Sequence, residues 1–373
     1  MINRKYGPFP SSEEILSSLI AFRTVNGDEY PSAQWLAGLL RRLGMDVSVQ
    51  VVGENRANVF AQAGTGEGLL LCGHLDVVPA HGDWSTPPFE LVKKDGAYFG
   101  RGCADMKGGI AAMVGAVHRF LSSGEGLNKR IALLFVRHFL QRRDPGIRYA
   151  VIGEPTELQI AVAHRGVARF RIAVRGKSAH SSVAREGINA LEGAMLLFEA
   201  CRRENERLQC VRHPILPPPS LNVTVLHGGE QDNIIPGEAS MILDYRIHPG
   251  VDYGGALRTV EAIVESVKRQ NPEFGFSVFR HCFLSGGEIA PEDPFVKKCC
   301  EAARACLGGA FAPREFQATC EQSLYIDAGI QTVICGPGDI KQAHTVNESL
   351  PEKQLHDAER LYYGMIRSFN RDG

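Results

Sequence analysis

Hydrophobic and polar positions along the first part of the chain follow two different periods. Residues 11–45 repeat apolar side chains with helical spacing, which predicts two capped helices, the second ending at Gly44. Four apolar runs of strand length follow: MDVSVQVV, NVFAQAG, GLLLCGHLD and KRIALLFV. A helical stretch from about Gly108 to Leu121 precedes the fourth run. This succession predicts an α/β domain in which helices cover a central sheet.

The pattern changes near residue 164, where a strand of alternating arginine and small residues begins. From there the chain predicts a β-α-β-β-α-β succession, typical of a small ferredoxin-like α+β sandwich. Segments of the earlier kind return from Gly286 onward. We therefore expect a small domain of residues 164–280, inserted into a larger domain made of residues 1–163 and 281–373.

Composition narrows the function classes. Of the 373 residues, 44% are hydrophobic. The chain contains 41 Lys and Arg and 42 Asp and Glu, so it has no excess of positive charge to bind nucleic acid or a membrane surface. The amino terminus has no apolar stretch of signal-peptide length, and no run in the chain approaches the length of a membrane span. The ten cysteines form no CxxC pair. We expect a cytoplasmic protein with reduced thiols and no nucleic-acid or membrane partner.

Residues of the types that bind metals are concentrated where predicted strands and helices meet loops. They are His74 and Asp76 after one strand, Asp105 before a Gly-Gly helix start, Glu154 after another strand, and His344 in a Gly-rich loop. Two positions apart on a strand, His74 and Asp76 should share a face. Taken singly, each residue is more often a cap or a hydrogen-bonding group. Together they converge on the sheet edge where α/β folds bind ligands, and such N and O donors suit Zn²⁺.

Five motifs extend this pattern over nearly the whole chain: GHLDVVP, GRGCADMKGG, IGEPTE, GKSAHSSVAREGINA and GPGDIKQAH. In type and order they resemble the M20 family of zinc-dependent aminoacylases and peptidases. The resemblance implies an α/β, zinc-peptidase-like catalytic domain with a mixed central sheet, interrupted by a ferredoxin-like lid or dimerisation domain. It also implies a hydrolase of linear amides, with Zn²⁺ or Co²⁺ as cofactor, that forms a homodimer through the lid domain.

The resemblance assigns roles to the candidate metal ligands. Asp105 is expected to bridge two zinc ions. His74 and Glu154 complete the site of one ion, and Asp76 orients the imidazole of His74. His344 binds the other ion.

Three residues of the inserted domain also match family positions. His180 resembles the histidine that family dimers lend to the neighbouring subunit, where it stabilises the oxyanion of the tetrahedral intermediate. Asn233 and Arg246 resemble the residues that hold the substrate's carboxylate, a task suited to a bidentate guanidinium. An ordinary surface arginine is the alternative for Arg246.

The substrate implied by the resemblance is an N-acyl amino acid. The carboxyl-terminal GPG and QAH elements, together with HGG and NIIP, are most similar to the acetylornithine deacetylase branch, which serves amino-acid biosynthesis. Cys320 departs from that branch, because it separates Thr319 from Glu321. Succinyl-diaminopimelate desuccinylase and dipeptidase activities therefore stay open as alternatives.

One family motif is missing. The apolar run 131–136 passes directly into RHFLQRRDPGIRY, without the Gly, Pro, Asn or Asp that normally ends a strand. At this place the family has a Glu-Glu pair in a Gly-containing loop, whose first Glu is the general base and whose second Glu binds the same metal as His344. RHFLQRRD resembles the helix after that loop. Asp144 is the one carboxylate in the interval, and beside Pro145 it predicts a turn or cap.

The gap predicts an impaired enzyme. His74, Asp105 and Glu154 still make a three-ligand site with an open position, so we expect one firmly bound zinc, and a second that is weak or absent. Loss of a general base typically costs ~10²–10⁴-fold in rate. Glu157 and Glu321 are candidate replacements. One alternative is a non-catalytic homologue that keeps the fold and dimer. The other is a gap that comes from a gene-model error or from a deletion in one strain.

Overall fold

The computed structural model describes residues 7–25, 27–135 and 146–371. The predicted helix after Val136 and the predicted turn or cap at Asp144 lie outside the described residues. The contacts within the chain define two compact units. The large unit comprises residues 1–162, 289–316 and 320–373, and the small unit comprises residues 163–288 and 317–319.

The helices of the described residues include those that the helical pattern of the sequence predicts. In chain order they are α1 (Ser12–Ala21), α2 (Tyr30–Arg42), α3 (Gly108–Ser122), α4 (Ala190–Leu208), α5 (Tyr253–Gln270), α6 (Pro294–Leu307), α7 (Gln322–Asp327) and α8 (Glu352–Arg371). The predicted cap of α1 is a capping box, in which Ser11 and Glu14 each accept the other's backbone N–H. None of these helices combines the length and the hydropathy that crossing a membrane requires.

The strands are short and numerous. In chain order they are β1 (Asp46–Gly53), β2 (Arg56–Ala63), β3 (Gly68–Gly73), β4 (Val92–Lys94), β5 (Ala97–Phe99), β6 (Arg130–Phe135), β7 (Ile147–Ile152), β8 (Ala161–His164), β9 (Gly166–Arg175), β10 (Ala179–His180), β11 (Ser220–Gly228), β12 (Ile234–Ile235), β13 (Glu238–Ile247), β14 (Gly275–Leu284), β15 (Gly287–Glu288), β16 (Arg314–Phe316), β17 (Gln331–Ile334) and β18 (Ser349–Pro351).

The large unit is built on a mixed sheet in the order β1-β2-β6-β3-β7-β17-β8, and β16 also pairs with β8. β3 runs parallel to both β6 and β7, and β7 runs parallel to β17. β3 and β6 are buried apolar runs because central parallel strands are covered on both faces. Parallel strands end at the same edge of a sheet, so this edge collects whatever follows them.

Several candidate site residues follow these parallel strands. β3 ends directly before His74, β7 ends two residues before Glu154, and β17 leads into the loop that carries His344. Phe135, the last described residue of β6, pairs with Gly73. The last described residue before the predicted gap therefore lies beside the strand end that leads to His74.

The small unit has the predicted β-α-β-β-α-β succession, formed by β9, α4, β11, β13, α5 and β14. Its strands make an antiparallel sheet in the order β11-β13-β9-β14. Alternate residues of β9, namely Phe170, Ile172 and Val174, share a core with Leu197 of α4 and Val260 of α5. The predicted fold class, a mixed α/β domain interrupted by a ferredoxin-like α+β insert, is confirmed.

Candidate metal centre

Asp105 lies between two imidazole rings, one at each oxygen of its carboxylate. His74 Nε2 is 3.1 Å from Asp105 Oδ1, and His344 Nε2 is 3.3 Å from Asp105 Oδ2. Glu154 lies on the His74 side, with its Oε1 3.5 Å from His74 Nε2. The structure thus brings the four predicted metal ligands together within the large unit. Among the described residues, the ligand atoms of His74, Asp105 and Glu154 all lie within 4.8 Å of one another.

The backbone before α3 explains how Asp105 reaches this position. Gly102 has φ +88°, in the left-handed region, and a Cβ there would lie 2.6 Å from a methyl carbon of Val77. Gly109, the second residue of α3, packs against the residue after β7, since a Cβ at Gly109 would lie 2.5 Å from the carbonyl oxygen of Gly153. The glycines of GRGCADMKGG therefore let the Asp105 turn and the Glu154 loop approach closely.

His74 is oriented by a backbone atom. β3 ends at Gly73, so His74 and Asp76 lie in the loop beyond the strand and not on a strand face. His74 Nδ1 is 3.0 Å from the main-chain oxygen of Asp76 and 3.6 Å from its carboxylate. A carbonyl oxygen can only accept, so Nδ1 donates, and Nε2 is the nitrogen that faces the carboxylates. The carbonyl oxygen of Asp76, and not its carboxylate, is therefore the atom nearest to Nδ1 and the one that orients the imidazole of His74.

Burial and neighbouring charges shift the pKa of each of the four residues. Burial raises the pKa of the Glu154 carboxyl to about 7, and the negative charge of Asp105 adds to the shift. Burial opposes ionisation of Asp105 as well, but hydrogen bonds from His344 and His74 hold the pKa of Asp105 below its usual range. Burial also opposes a charge on His74, yet Asp105 and Glu154 raise the pKa of its imidazole well above the usual value. The group therefore favours a positive charge between its carboxylates.

The donor set fits a divalent cation. Ligand atoms around a tetrahedral zinc with bonds of 2.0–2.2 Å lie roughly 3.3–3.6 Å apart. The separations of 3.1 Å, 3.3 Å and 3.5 Å measured around Asp105 and His74 fall close to this range. Imidazole nitrogens and carboxylate oxygens together are a donor set for Zn²⁺ or Co²⁺.

Glu348 is a residue of this region that the sequence analysis missed. Its carboxylate accepts hydrogen bonds from the N–H groups of Gly102 at 2.8 Å, Ala104 at 2.9 Å and Asp105 at 3.0 Å. Arg101 Nη1 donates to the same carboxylate at 2.8 Å. The one available sequence indication was its position four residues after His344.

Lys107 is a second residue that the sequence analysis missed. Its side chain is fully buried, and Nζ donates to the carbonyl oxygens of Leu19 and Phe22, each at 2.9 Å. Burial lowers the pKa of this ammonium to about 7. Lys107 therefore fastens the segment after Asp105 to the end of α1, where helix carbonyls lack partners within the helix.

The replacement bases proposed from the sequence differ in their surroundings. Glu321 is half-buried, and its negative charge contributes to the raised pKa of Glu154. Glu157 is exposed, in a loop with φ +54°. Of the two, Glu321 is the carboxylate whose electrostatic influence reaches the metal-type ligands.

His180 and Asn233 come together in the small unit. The short pair β10–β12 aligns His180 with Ile234, and the N–H of Ser181 donates to the carbonyl of Asn233 at 2.9 Å. The N–H of Ser182 donates to His180 Nδ1 at 3.1 Å. A neutral His180 ring therefore carries its proton on Nε2.

Arg246 lies on β13, in an ion-paired cluster of the same unit. Its Nε donates to Asp244 Oδ1 at 2.7 Å, and Arg169 Nε donates to Asp244 Oδ2, also at 2.7 Å. Arg246 is half-buried, with 30% of its side chain exposed. This contact uses Nε and orients the guanidinium.

Comparisons with known proteins agree over nearly the whole chain. The model for peptidase family M20/M25/M40 matches residues 70–368. Acetylornithine deacetylase from Vibrio cholerae is 30% identical over 368 residues, which covers 92% of this chain and 94% of that protein.

Two solved structures share the fold. A tripeptidase from Staphylococcus aureus has a TM-score of 0.79 at 21% identity, with 100% of both chains covered. A dinuclear metal-binding peptidase of the M20 family from Bacillus subtilis has a TM-score of 0.70 at 14% identity, covering 95% of this chain and 96% of that one. At these identities the likeness concerns the fold.

Proposed function

Because the chain belongs to peptidase family M20/M25/M40, we propose that its reaction is the hydrolysis of the amide bond of an N-acyl amino acid resembling N-acetylornithine. The deacetylase relative at 30% identity supports this substrate class. The observation that carries the proposal is the Asp105 carboxylate, with His74 at one oxygen and His344 at the other. N-succinyl amino acids and dipeptides are the alternative substrates.

We propose Zn²⁺ as the metal, with Co²⁺ as a functional substitute. His74, Asp105 and Glu154 would hold one ion firmly, and Asp105 with His344 would hold a second ion weakly. When bound, such an ion polarises the amide carbonyl and acidifies a water molecule. The carbonyl of Asp76 accepts from Nδ1 of His74, so Nε2 is the nitrogen that would bind an ion.

Residues of the small unit are proposed to bind the substrate. With Nδ1 of His180 accepting from Ser182, the Nε2–H is free to donate to the oxyanion of a tetrahedral intermediate. Asp244 engages Nε of Arg246, which leaves the two terminal nitrogens for a bidentate contact with the substrate's carboxylate. Asn233, beside His180, would add an amide contact to the same substrate.

We propose a homodimer formed through the small unit, in which His180 serves the partner's site. Large apolar side chains are exposed on this unit, among them Met195 and Phe198 on α4 and Leu226 on β11, with 66%, 42% and 41% exposure. Met195 and Phe198 are three positions apart on α4, and exposed apolar side chains that lie together in this way are candidates for burial in an interface. The assignment of residues 1–163 and 281–373 to catalysis and 164–280 to dimerisation belongs to the same proposal, as does the cytoplasmic location.

Turnover is expected to be impaired. The interval 136–145 contains no glutamate, although the family's general base belongs there. General-base assistance typically contributes ~10²–10⁴-fold, so we expect a rate lower by this order than that of a complete family member. Glu321 is the replacement base we propose, because its charge acts on Glu154. The second hypothesis, favoured by the same gap, is a metal-binding homologue without turnover.

The test is a turnover assay of the zinc-loaded protein on N-acetyl and N-succinyl amino acids and dipeptides. The control is His74→Ala, which removes one proposed ligand and leaves the small unit unchanged. Hydrolysis above the control on N-acetyl amino acids supports the deacetylase proposal. Equal rates in the two proteins on every substrate would rule out the enzyme and support the non-catalytic homologue.

A further inference from the structure

Glu348 connects two loops that carry candidate metal ligands. We name residues 101–105 the Asp105 loop and residues 344–348 the His344 loop. The side chain of Glu348 is 1% exposed, although it is a carboxylate. Oε1 accepts from the N–H groups of Ala104 and Asp105, and Oε2 accepts from the N–H of Gly102 and from Arg101. Four donors of the Asp105 loop therefore converge on one side chain of the His344 loop.

A requirement for stability alone does not explain this arrangement. Arg101 is also buried, with 2% of its side chain exposed, and replacing a buried ion pair by apolar groups is often neutral or stabilising. Three backbone N–H groups directed at one anion make a concave anion-binding turn. A carboxylate can satisfy all four donors because each of its oxygens accepts two hydrogen bonds. The arrangement therefore specifies the path of the Asp105 loop.

The side chains of Asn347 and Glu348 hold the end of the His344 loop. The ring of His344 is largely exposed, and its backbone has φ +64°, in the left-handed region that is unfavourable for a side chain larger than glycine. Asn347 Oδ1 accepts from the N–H of Ser85 at 2.7 Å and from its hydroxyl at 2.9 Å. Asn347 and Glu348 thus hold the end of the loop, and Glu348 alone of the two contacts the Asp105 loop directly.

We propose that Glu348 is a positioning residue for metal binding. It holds the Asp105 loop against the His344 loop, so that one carboxylate oxygen of Asp105 lies beside His74 and the other lies beside His344. It acts through the main chain of Asp105. The inference rests on the proposed function, because the alignment of these ligands matters only if they bind a metal.

Glu348→Gln tests the proposal with little change in shape. The amide nitrogen of the glutamine cannot accept a hydrogen bond, so the backbone N–H groups that face this nitrogen would lose their acceptor. Partners that orient metal ligands typically contribute 10–100-fold to affinity, and we expect the dissociation constant for Co²⁺ to rise by ~10–100-fold. Binding is measured by titrating the metal-free protein with Co²⁺ and following its visible absorption, whose shape reports the ligand geometry.

Glu29→Gln is the matched control. Glu29 is another buried glutamate, 5% exposed, and its carboxylate lies 3.5 Å from Arg56 Nε, outside both ligand loops. We expect Glu29→Gln to lower the melting temperature of the metal-free protein without changing Co²⁺ affinity or the absorption spectrum. Equal loss of Co²⁺ affinity in the two variants would show general destabilisation and overturn the proposal. Wild-type affinity and spectrum in Glu348→Gln would also overturn it.

Two further measurements keep the proposal testable if Glu348→Gln does not fold. Glu348→Asp keeps the charge on a shorter side chain, and we expect it to lose a smaller part of the affinity; unchanged affinity would contradict the proposal. In the unaltered metal-free protein, the amides of Ala104 and Asp105 should exchange slowly with solvent, and rapid exchange would contradict it. His74→Ala in the same titration separates failure of the Glu348 proposal from failure of the proposed function, because full Co²⁺ affinity in that variant would refute the metal site itself.

Discussion

The two imidazoles that meet Asp105 have contrasting surroundings. His74 directly follows a fully buried strand, has 19% of its side chain exposed, and lies between two carboxylates. His344 stands on a loop with 65% of its side chain exposed, and Asp105 is the carboxylate found beside it among the described residues. One half of the candidate metal centre is therefore built by the sheet, and the other by loops.

The difference follows from how each half is held. β3 and β7 are hydrogen-bonded neighbours whose register pairs Cys72 with Ile152, so the strand ends before His74 and Glu154 lie side by side. The His344 half depends on loop contacts such as those of Glu348. The family resemblance implies that the absent Glu-Glu motif would belong to this second half, so the comparison predicts a strong site beside a weak one.

The largest expected effect comes from completing the weak half. Insertion of Glu-Glu-Gly-Gly after Val136 would return a general base and a carboxylate ligand to the interval. We expect kcat to rise by ~10²–10⁴-fold and a second zinc to be retained after dialysis. The control is insertion of Gln-Gln-Gly-Gly, which has the same length without the charges. Equal kcat in the two insertion variants would contradict the interpretation of the gap.

Removing one imidazole at a time compares the halves directly. We expect His74→Ala to weaken binding of the tightest zinc by at least ~100-fold, because a ligand should matter more than the groups that orient it. His344→Ala should weaken it by less than ~10-fold and leave about one zinc per chain. Zinc content after dialysis and competition with a chromophoric chelator measure both. Similar losses in the two variants would remove the distinction between the halves.

Protons should compete with zinc for Glu154, in the half of the site that the sheet builds. Since burial raises the pKa of Glu154 to about 7, the metal-free carboxyl holds a proton below that pH, which a metal must displace. We therefore expect zinc affinity to fall by about tenfold for each pH unit below 7. Glu154→Gln should show a weaker pH dependence together with lower affinity. A pH-independent affinity between pH 5 and 7 in the unaltered protein would contradict this.

The same pKa shift has a consequence for folding. The carboxyl pKa of Glu154 is higher in the folded protein than in the unfolded chain, so the folded state binds more protons between the two values. Its contribution to stability is fully present below about pH 4.5 and is lost as the pH rises through about 7. The melting temperature of the metal-free protein should fall between pH 5 and 8 more steeply than that of Glu154→Gln. Parallel curves for the two proteins would contradict this.

The smallest expected effect on metal binding comes from the neighbouring carboxylate, Glu321. Glu321→Gln removes a negative charge that raises the pKa of Glu154, so the pH midpoint of zinc binding should move down by less than about one unit. Glu157→Gln, a change of the same kind at an exposed position, is the control and should leave the midpoint unchanged. If the two variants shift the midpoint equally, Glu321 has no special relation to the site.

Much of the fold could be predicted because its determinants are local. The capping box joins Ser11 to Glu14, three positions later, and the apolar run of β3 shows a buried strand without knowledge of its neighbours. Glu348 could not be found in this way. Its hydrogen bond to the N–H of Asp105 joins positions 243 residues apart, and a lone glutamate in a polar loop has no local feature that predicts burial.

By itself, the sequence determined the succession of the long helices and strands, the four residues of metal-binding type and the absence of a glutamate between residues 136 and 145. These depend on residue type, periodicity and position along the chain. Only the tertiary structure decided which oxygen of Asp105 faces which imidazole, that the carbonyl of Asp76 orients His74, and that Glu348 joins the two ligand loops. Such contacts depend on distances of a few ångströms between residues far apart in sequence, and these distances are set by packing.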